Sequence, residues 1–199
     1  MKASFSVLFL VVVAGWLLPI ERSWSQTKSG SNSSQVANTE RKLEHLESNA
    51  DLDHPDPAPT EFTEQEINAY FASGNVKLPP GVQSVVFQEQ PQIVIGTSRV
   101  DFDQVKAGKN SYNPLLSMFS GLHDVIVTAH AHGARGEGMV HVDSVSIDGV
   151  EVPKFVLELF LEKYLKPRYP NIGIDSRFAL PVRVDAAAVG LHKVSVSQK

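Results

Sequence analysis

Cysteine is absent from the 199 residues of this chain, and its absence excludes several kinds of chemistry. No disulfide can form, no thiolate nucleophile exists, and no lipid can be attached to a cysteine after the N-terminal apolar run. An exported domain without disulfides depends on its hydrophobic core. The hydrophobic fraction of 42% is enough for one substantial core.

An excess of basic residues is also lacking, because 18 lysines and arginines stand against 22 acidic residues and the net charge is −4. Nucleic-acid binding requires a basic stripe that contacts phosphates, so this class of partner is not expected. Electrostatic docking on anionic lipid is disfavoured for the same reason. Any transient membrane contact would have to be apolar.

Catalytic motifs are missing as well. The chain contains no G-x-S-x-G, G-x-G-x-x-G, Walker or H-E-x-x-H sequence. The glycines at 133, 136 and 138 follow one predicted strand and enter another, so no helix N-terminus is available to hold a phosphate there. We predict that the protein is not an enzyme and carries no cofactor and no metal.

The N-terminal 25 residues have the features of an export signal. Lys2 is followed by an apolar run from Ala3 to Leu18, and small residues at Ser23 and Ser25 suit a signal peptidase. We predict cleavage near Ser25 and an extracytoplasmic location, periplasmic or secreted. The alternative is an anchor formed by an uncleaved N-terminal helix, although the run is shorter than the ~20 residues that span a bilayer.

Residues 26–59 are rich in Ser, Asn, charged residues and Pro, which predicts a disordered linker. Residues 60–199 are predicted to form a single α+β domain. Its first helix begins after Thr63, because Thr63 and Glu66 have the spacing of a capping box, and it runs from Glu64 to Ala72 with Asn68 facing solvent.

Period-2 alternation predicts about six strands, which fall mostly into adjacent antiparallel pairs. Changes of parity predict β-bulges near Gly96 and near Asp143. A closing hairpin is expected from the alternation of apolar residues in the C-terminal part of the chain, namely Leu180, Val182, Val184, Val194 and Val196.

A second helix is predicted from Lys154 to Lys166, and apolar residues cover more than half of its circumference. Such a helix needs more cover than one sheet face supplies, so a curled sheet, another helix, an apolar ligand or a membrane must contact it. Residues 106–121 offer either a short helix after Pro114 that closes the core or a mobile apolar lip that contains Leu116 and Phe119.

Two groups of polar residues are candidate sites, the first for a metal ion and the second for paired catalytic carboxylates. His130, His132 and His141 would share a sheet face, with His130 and His141 opposite each other if the hairpin turns at residues 135 and 136. This face lies opposite the apolar one, so simple solvation is the preferred interpretation. Asp101 and Asp103 alternate with apolar residues and are interpreted as the wet side of a strand.

Four segments together resemble a known family: FTEQEINAYF, VDFD, GEGMVHVDSVSIDGVEVPKFVLELFLEKYL and LPVRV. They are similar to exported bacterial proteins of the LmeA-like and YpmS-like type, which are similar to the tubular lipid-binding (TULIP) superfamily. The resemblance spans Phe62 to Gln198. It implies a curled antiparallel sheet of about six strands wrapped around a long amphipathic helix, plus a short N-terminal helix, with an apolar groove for acyl chains.

The resemblance places this groove between helix 154–166 and the sheet. Its expected lining is Phe155, Leu159, Phe160, Val127, Ala129, Ala131, Leu116 and Phe119. The expected function is therefore non-catalytic binding of a lipid or another apolar small molecule. The alternative is an envelope structural or interaction protein in which the same residues form a dry core and which docks on a protein partner.

Overall fold

The computed structural model describes residues 30–106, 114–181 and 183–199. The predicted export signal, the beginning of the predicted lip and Val182 lie outside these residues. The described strands are β1 (Thr60–Thr63), β2 (Val82–Gln90), β3 (Ile93–Asp101), β4 (Leu122–Ala134), β5 (Glu137–Ile147), β6 (Val150–Glu151), β7 (Asp175–Ala179), β8 (Val184–Gly190) and β9 (Lys193–Gln198). The helices are α1 (Gly30–Ala50), α2 (Glu64–Ala72), α3 (Phe102–Val105) and α4 (Lys154–Phe160). A 3-10 helix spans Pro114–Leu116, and a π-helical turn, Leu161–Leu165, continues α4.

All of these strands belong to one antiparallel sheet. The neighbours along it are β1, β9, β8, β4, β3 and β2, while β5 lies on the other edge of β4 and also pairs with β6 and β7. One edge of β4 pairs with β3 as far as His130 and then with β8 at His132 and Gly133. The long strand β4 therefore joins two groups of strands into one sheet.

The prediction of about six strands wrapped around a long helix is wrong. The described part of the chain contains nine strands, and α4 has only seven α-helical residues before the π-helical turn. Three of the strands, β1, β6 and β7, have two to five residues, which is too short for a clear period-2 pattern. The helix does not form the axis of the sheet.

The hydrophobic core consists of two clusters. The first cluster lies beneath α1 and α2 and contains Phe62, Phe87, Ala131 and Val196 among its members. The second cluster lies beneath α4, its π-helical turn and the 3-10 helix, against β3, β4 and β5. Helix α4 therefore covers only one part of the apolar face of the sheet, and α1 and α2 cover the other.

Helix α1 occupies much of the segment for which a disordered linker is predicted, so that prediction is wrong for residues 30–50. Leu43 and Leu46 are buried in the first core cluster. The side chain of Asn49 donates to the Gln198 side chain at 2.8 Å, and Gln198 donates to the carbonyl of Leu46 at 2.9 Å. These tertiary contacts stabilise a segment whose own sequence gives only a marginal helix.

Helix α2 begins as predicted. Thr63 accepts a hydrogen bond from the Glu66 N–H, and the Glu66 carboxylate accepts one from the Thr63 N–H at 2.8 Å, so the capping box is confirmed. The prediction that Asn68 faces solvent is wrong. Its side chain accepts a hydrogen bond from the Phe87 N–H at 2.7 Å and donates to the Phe87 carbonyl at 2.8 Å, which covers the outer edge of β2.

One of the two expected bulges is present. The register between β4 and β5 shifts at Asp143, as predicted, because Thr128 faces Ser144 and Ala129 faces Val142. The prediction of a bulge near Gly96 is wrong. Strand β3 pairs with β4 without interruption, and the register shift in the β2–β3 hairpin lies on β2, between Val82 and Ser84. Gly96 instead leaves room for the ring of Phe87, which a Cβ there would contact at 3.5 Å.

Candidate functional site

The eight residues expected to line one groove do not lie together. Phe160, Leu116 and Phe119 are buried in the second core cluster, and Val127 packs against it. Ala131 belongs to the first cluster, beneath α1 and α2, and Ala129 is also buried. The remaining two, Phe155 and Leu159, are exposed on the outer side of α4.

The space between α4 and the sheet is filled by aromatic rings. Phe119 stacks on Phe160 with 4.1 Å between the ring centroids, and Phe102 meets Phe160 edge to face at 5.6 Å. Phe119 is only 1% exposed. Edge-to-face and offset stacks of this kind are favourable packing arrangements. The geometry therefore corresponds to the dry core that the sequence left open, and the short helix after Pro114 closes this end of the core.

The apolar side chains that remain accessible on α4 form a defined surface. Phe155 is 55% exposed and Leu159 is 40% exposed. They are four residues apart, so they lie one above the other on one face of the helix. Val156 and Phe160 each lie about 100° further around the helix, and both are buried and fix the helix against the sheet. We refer to the exposed side chains of Phe155 and Leu159 as the α4 surface.

Leu115 extends the apolar character of this region. It is 48% exposed and lies on the 3-10 helix, which contacts α4. The next residue, Leu116, is buried in the core. The short helix thus presents one leucine outward and one inward, and it contacts the helix that carries the α4 surface.

The three histidines lie on the outer face of the sheet. His130 and His141 are directly opposite each other, as predicted. Asp143 lies 2.7 Å from His130 Nδ1, and Asp175 lies 2.6 Å from His141 Nδ1, so carboxylates that the sequence analysis did not find are present. The hydrogen bond from His141 lowers the pKa of the Asp175 carboxyl.

His130 and His141 each pair with a different carboxylate, Asp143 and Asp175 respectively. Within residues 30–106, 114–181 and 183–199, no group of three or more His, Asp or Glu side chains is arranged to hold a metal ion. The His130 and His141 side chains are half exposed, which agrees with the preferred interpretation of a solvated face.

Asp101 and Asp103 have structural roles. The Asp101 carboxylate caps α3 by accepting hydrogen bonds from the N–H groups of Asp103 and Gln104. Asp103 accepts a hydrogen bond from the Gly121 N–H at 3.1 Å and forms an ion pair with Lys106. These contacts hold the beginning of the loop after β3, and the two carboxylates do not face a common pocket.

Sequence analysis missed a buried carboxyl group, that of Glu89, which is 1% exposed. Burial, together with the nearby charge of Glu64, raises the pKa of Glu89 to about 7. Glu64 itself contacts His192 Nδ1 at 2.8 Å. A signal was present, because Val85, Phe87 and Glu89 alternate and must share one face of β2. The polar, proline-containing run Glu89-Gln90-Pro91-Gln92 predicts a turn instead, which conceals this signal.

Comparisons with known proteins give no match to any family model, any curated protein or any solved structure. The resemblance to the LmeA-like and YpmS-like proteins therefore rests on the quoted sequence segments alone and stays a prediction. Among the described residues, no helix has the length and hydropathy needed to cross a membrane.

Proposed function

We propose that this protein is a non-catalytic interaction module that docks on a protein partner through the α4 surface. The observation that carries the proposal is the exposure of Phe155 and Leu159 one turn apart, on a helix whose buried side is fixed in the core. Full burial of a side chain of this size contributes about 1.5–3 kcal/mol, so the pair offers a substantial gain to a complementary partner.

The α4 surface is suited to a partner because it is already ordered. Val156 and Phe160 are buried beneath it, and Val152 immediately before the helix is buried as well. A surface that is held in its binding conformation loses little entropy on association. Aromatic anchors on such surfaces typically contribute a large share of the binding energy, which makes Phe155 the expected centre of the contact.

Charges of both signs lie beside the α4 surface. Glu158 and Glu162 are exposed three residues after Phe155 and Leu159 respectively, Glu162 forms an ion pair with Lys166, and Lys163 is exposed four residues after Leu159. A protein pocket with an apolar floor and a lysine or arginine rim would accommodate the apolar side chains and the carboxylates together.

Binding of a lipid or another apolar small molecule is the second candidate. It is favoured by the four predicted groove residues that do meet in one cluster: Phe160, Leu116, Phe119 and Val127. An acyl chain would have to displace the Phe119 ring from its stack on Phe160, which would require the short 3-10 helix to move. Either function would be carried out outside the cytoplasm if the N-terminal signal directs export as proposed.

Site-specific photo-crosslinking in cells distinguishes the two candidates. A photoreactive residue replaces Phe155, and the same residue at Val86, an exposed position on the outer face of the sheet, serves as the matched control. We expect one protein adduct at position 155 that is absent at position 86 and is lost when Leu159→Ser is added. A lipid adduct at position 155 would favour the second candidate.

Purified components complete the test. The crosslinked partner should bind the wild type in isolation, and Phe155→Ser should weaken this binding at least about tenfold, which corresponds to about 1.4 kcal/mol. The melting temperature of the variant should equal that of the wild type, because Phe155 is outside the core. Equal affinity of the wild type and Phe155→Ser would overturn the proposal.

A further inference from the structure

A second surface feature is a pocket whose walls carry cationic side chains. A pocket with a volume of about 400 Å³ opens between the β4–β5 turn and the loop before β8. Arg135, Arg183 and Lys199 supply its charged walls, and Leu180, Pro181 and Val184 supply apolar ones. We call it the arginine pocket.

Backbone hydrogen bonds hold the three parts of this pocket together. The Gly136 N–H donates to the Asp185 carbonyl at 2.9 Å, and the Leu180 N–H donates to the Gly136 carbonyl at 2.8 Å. The Lys199 N–H donates to the Arg183 carbonyl at 3.0 Å. The positions from which the cationic side chains extend are therefore fixed by the fold.

Both arginines occupy backbone conformations that are costly for their residue type. Arg135 has φ 55° and Arg183 has φ 71°. Arg135 and Gly136 form the centre of a two-residue hairpin turn, in which Asn-Gly or Asp-Gly is the usual pair. Gln92, Asp148 and His192 have positive φ in other turns, so here this backbone conformation matters only because it sets the direction in which the two arginines leave the chain.

The cations of the pocket differ in their ion pairs. Lys199 forms an ion pair with Asp185. Within the described residues neither Arg135 nor Arg183 has an ion pair, whereas Lys42, Arg99, Lys106, Lys166 and Lys193 do. In a protein with net charge −4, Arg135 and Arg183 are thus two guanidinium groups at one pocket, and neither has an ion pair with a described carboxylate side chain.

We propose that the arginine pocket binds a phosphate group that carries an apolar substituent. Guanidinium groups recognise phosphate through paired hydrogen bonds, and a phosphate monoester carries close to two negative charges at neutral pH. The pocket is larger than an inorganic phosphate and lies within the range of small-molecule sites, so the remaining volume beside Leu180, Pro181 and Val184 accommodates an apolar group.

Titration with inorganic phosphate and with phenyl phosphate at constant ionic strength, followed by NMR of the backbone amides, tests this site. We expect shifts at residues 135, 136, 183 and 184, and tighter binding of phenyl phosphate than of inorganic phosphate. Arg135→Gln and Arg183→Gln should each weaken binding about tenfold or more, because a hydrogen bond to a charged group is lost.

Two variants separate binding from folding. Arg177→Gln removes an exposed arginine of β7 that does not line the pocket, and it should bind both phosphates as the wild type does. Arg183→Gly relieves the positive φ, so its melting temperature should not fall while phosphate binding is lost. Equal affinity of Arg135→Gln, Arg183→Gln and the wild type, or no amide shift with either phosphate, would overturn the proposal.

An experiment with lipid vesicles distinguishes a lipid headgroup from a soluble phosphate monoester as the source of the phosphate group. Phosphatidic acid in a phosphatidylcholine vesicle presents the same chemical group at a membrane. Cosedimentation that requires phosphatidic acid and is lost in Arg135→Gln would identify a lipid headgroup as the ligand. Binding of phenyl phosphate without any vesicle binding would identify a soluble phosphate monoester.

Discussion

The Glu89 side chain is buried beside that of Glu64, and the Glu64 carboxylate accepts a hydrogen bond from the Glu89 N–H at 3.1 Å. Burial acts to raise the pKa of Glu64, but hydrogen bonds from His192 and from the Glu89 N–H hold it below its usual value. Burial and the Glu64 charge raise the pKa of Glu89 to about 7. The two neighbouring carboxyls are thus pushed in opposite directions, so that near pH 6 Glu64 is ionised while Glu89 holds a proton.

This pair predicts a loss of stability as the pH rises. The pKa of Glu89 is higher in the folded state than the 4.5 of an unperturbed glutamate, so the folded state holds the proton more tightly. The contribution of this proton to the free energy of unfolding is fully present below pH 4.5 and is lost as the pH rises to about 7. It amounts to roughly 3 kcal/mol at 1.36 kcal/mol per pH unit.

Urea denaturation of the wild type and Glu89→Gln across this range measures the effect. Glu64 and Glu66 have lowered pKa values and change the stability in the opposite sense at acid pH, but they are common to both proteins and cancel in the difference. Glu89→Gln should gain stability relative to the wild type as the pH rises to about 7. Parallel curves would contradict this assignment of the proton.

Substitutions on the buried and exposed sides of α4 should differ strongly in their effect on stability. Phe160→Ala removes a buried ring from the stack with Phe119 and should lower the free energy of unfolding by about 3–5 kcal/mol. Phe155→Ala, on the exposed side of the same helix, should change it by no more than about 0.5 kcal/mol. Chemical denaturation compares the two, and similar losses in both variants would show that Phe155 belongs to the core.

Asn68 should stabilise the edge of β2 through its two hydrogen bonds to Phe87. Asn68→Ala leaves the Phe87 N–H and carbonyl without their partner and should cost about 1–3 kcal/mol. Asn68→Asp keeps an acceptor for the N–H but sets a carboxylate oxygen against the Phe87 carbonyl, so we expect a loss at least as large as that of the alanine variant. Hydrogen exchange of the Phe87 amide should accelerate in the alanine variant. An unchanged rate would mean that this N–H is protected by something else.

Docking of α1 on the domain should contribute directly to stability. Leu43→Ala and Leu46→Ala remove buried side chains from the first core cluster and should each lower the free energy of unfolding by about 2–5 kcal/mol. Leu52, just beyond the helix, is 52% exposed, and Leu52→Ala is the matched control with an expected change within about 0.5 kcal/mol. Thermal unfolding that leaves all three variants equal to the wild type would show that α1 does not pack on the sheet.

Local signals predicted the elements that are determined locally. The capping box of Thr63 and Glu66, the hairpin that places His130 opposite His141, and the bulge at Asp143 all follow from spacing and period. Helix α1 was missed because Leu43 and Leu46 give it a narrow apolar stripe, and only the contact with β9 and α2 makes it stable. A single sequence contains no direct signal for that contact.

The site was predicted less well, because the position of a residue along a strand does not determine which helix covers its side chain. Val127 and Ala131 lie on the same face of β4, yet Val127 packs in the cluster beneath α4 and Ala131 in the cluster beneath α1 and α2. The prediction that Phe155 and Leu159 line the groove is wrong for a related reason, because both side chains are exposed. The amount of apolar surface on α4 indicated a need for cover, but the sequence did not show which side the core would leave uncovered.

The hydrogen bonds that tie α1 to Gln198 connect residues separated by 149 and 152 positions along the chain. Contacts of such sequence separation form late, because a long loop must close before they contribute, and they slow folding. During synthesis, α1 emerges from the ribosome long before β9, whereas α2, which it also contacts, is the next helix in the chain. The hydrogen bonds of Asn49 and Leu46 to Gln198 can therefore form only after almost the whole chain has been synthesised.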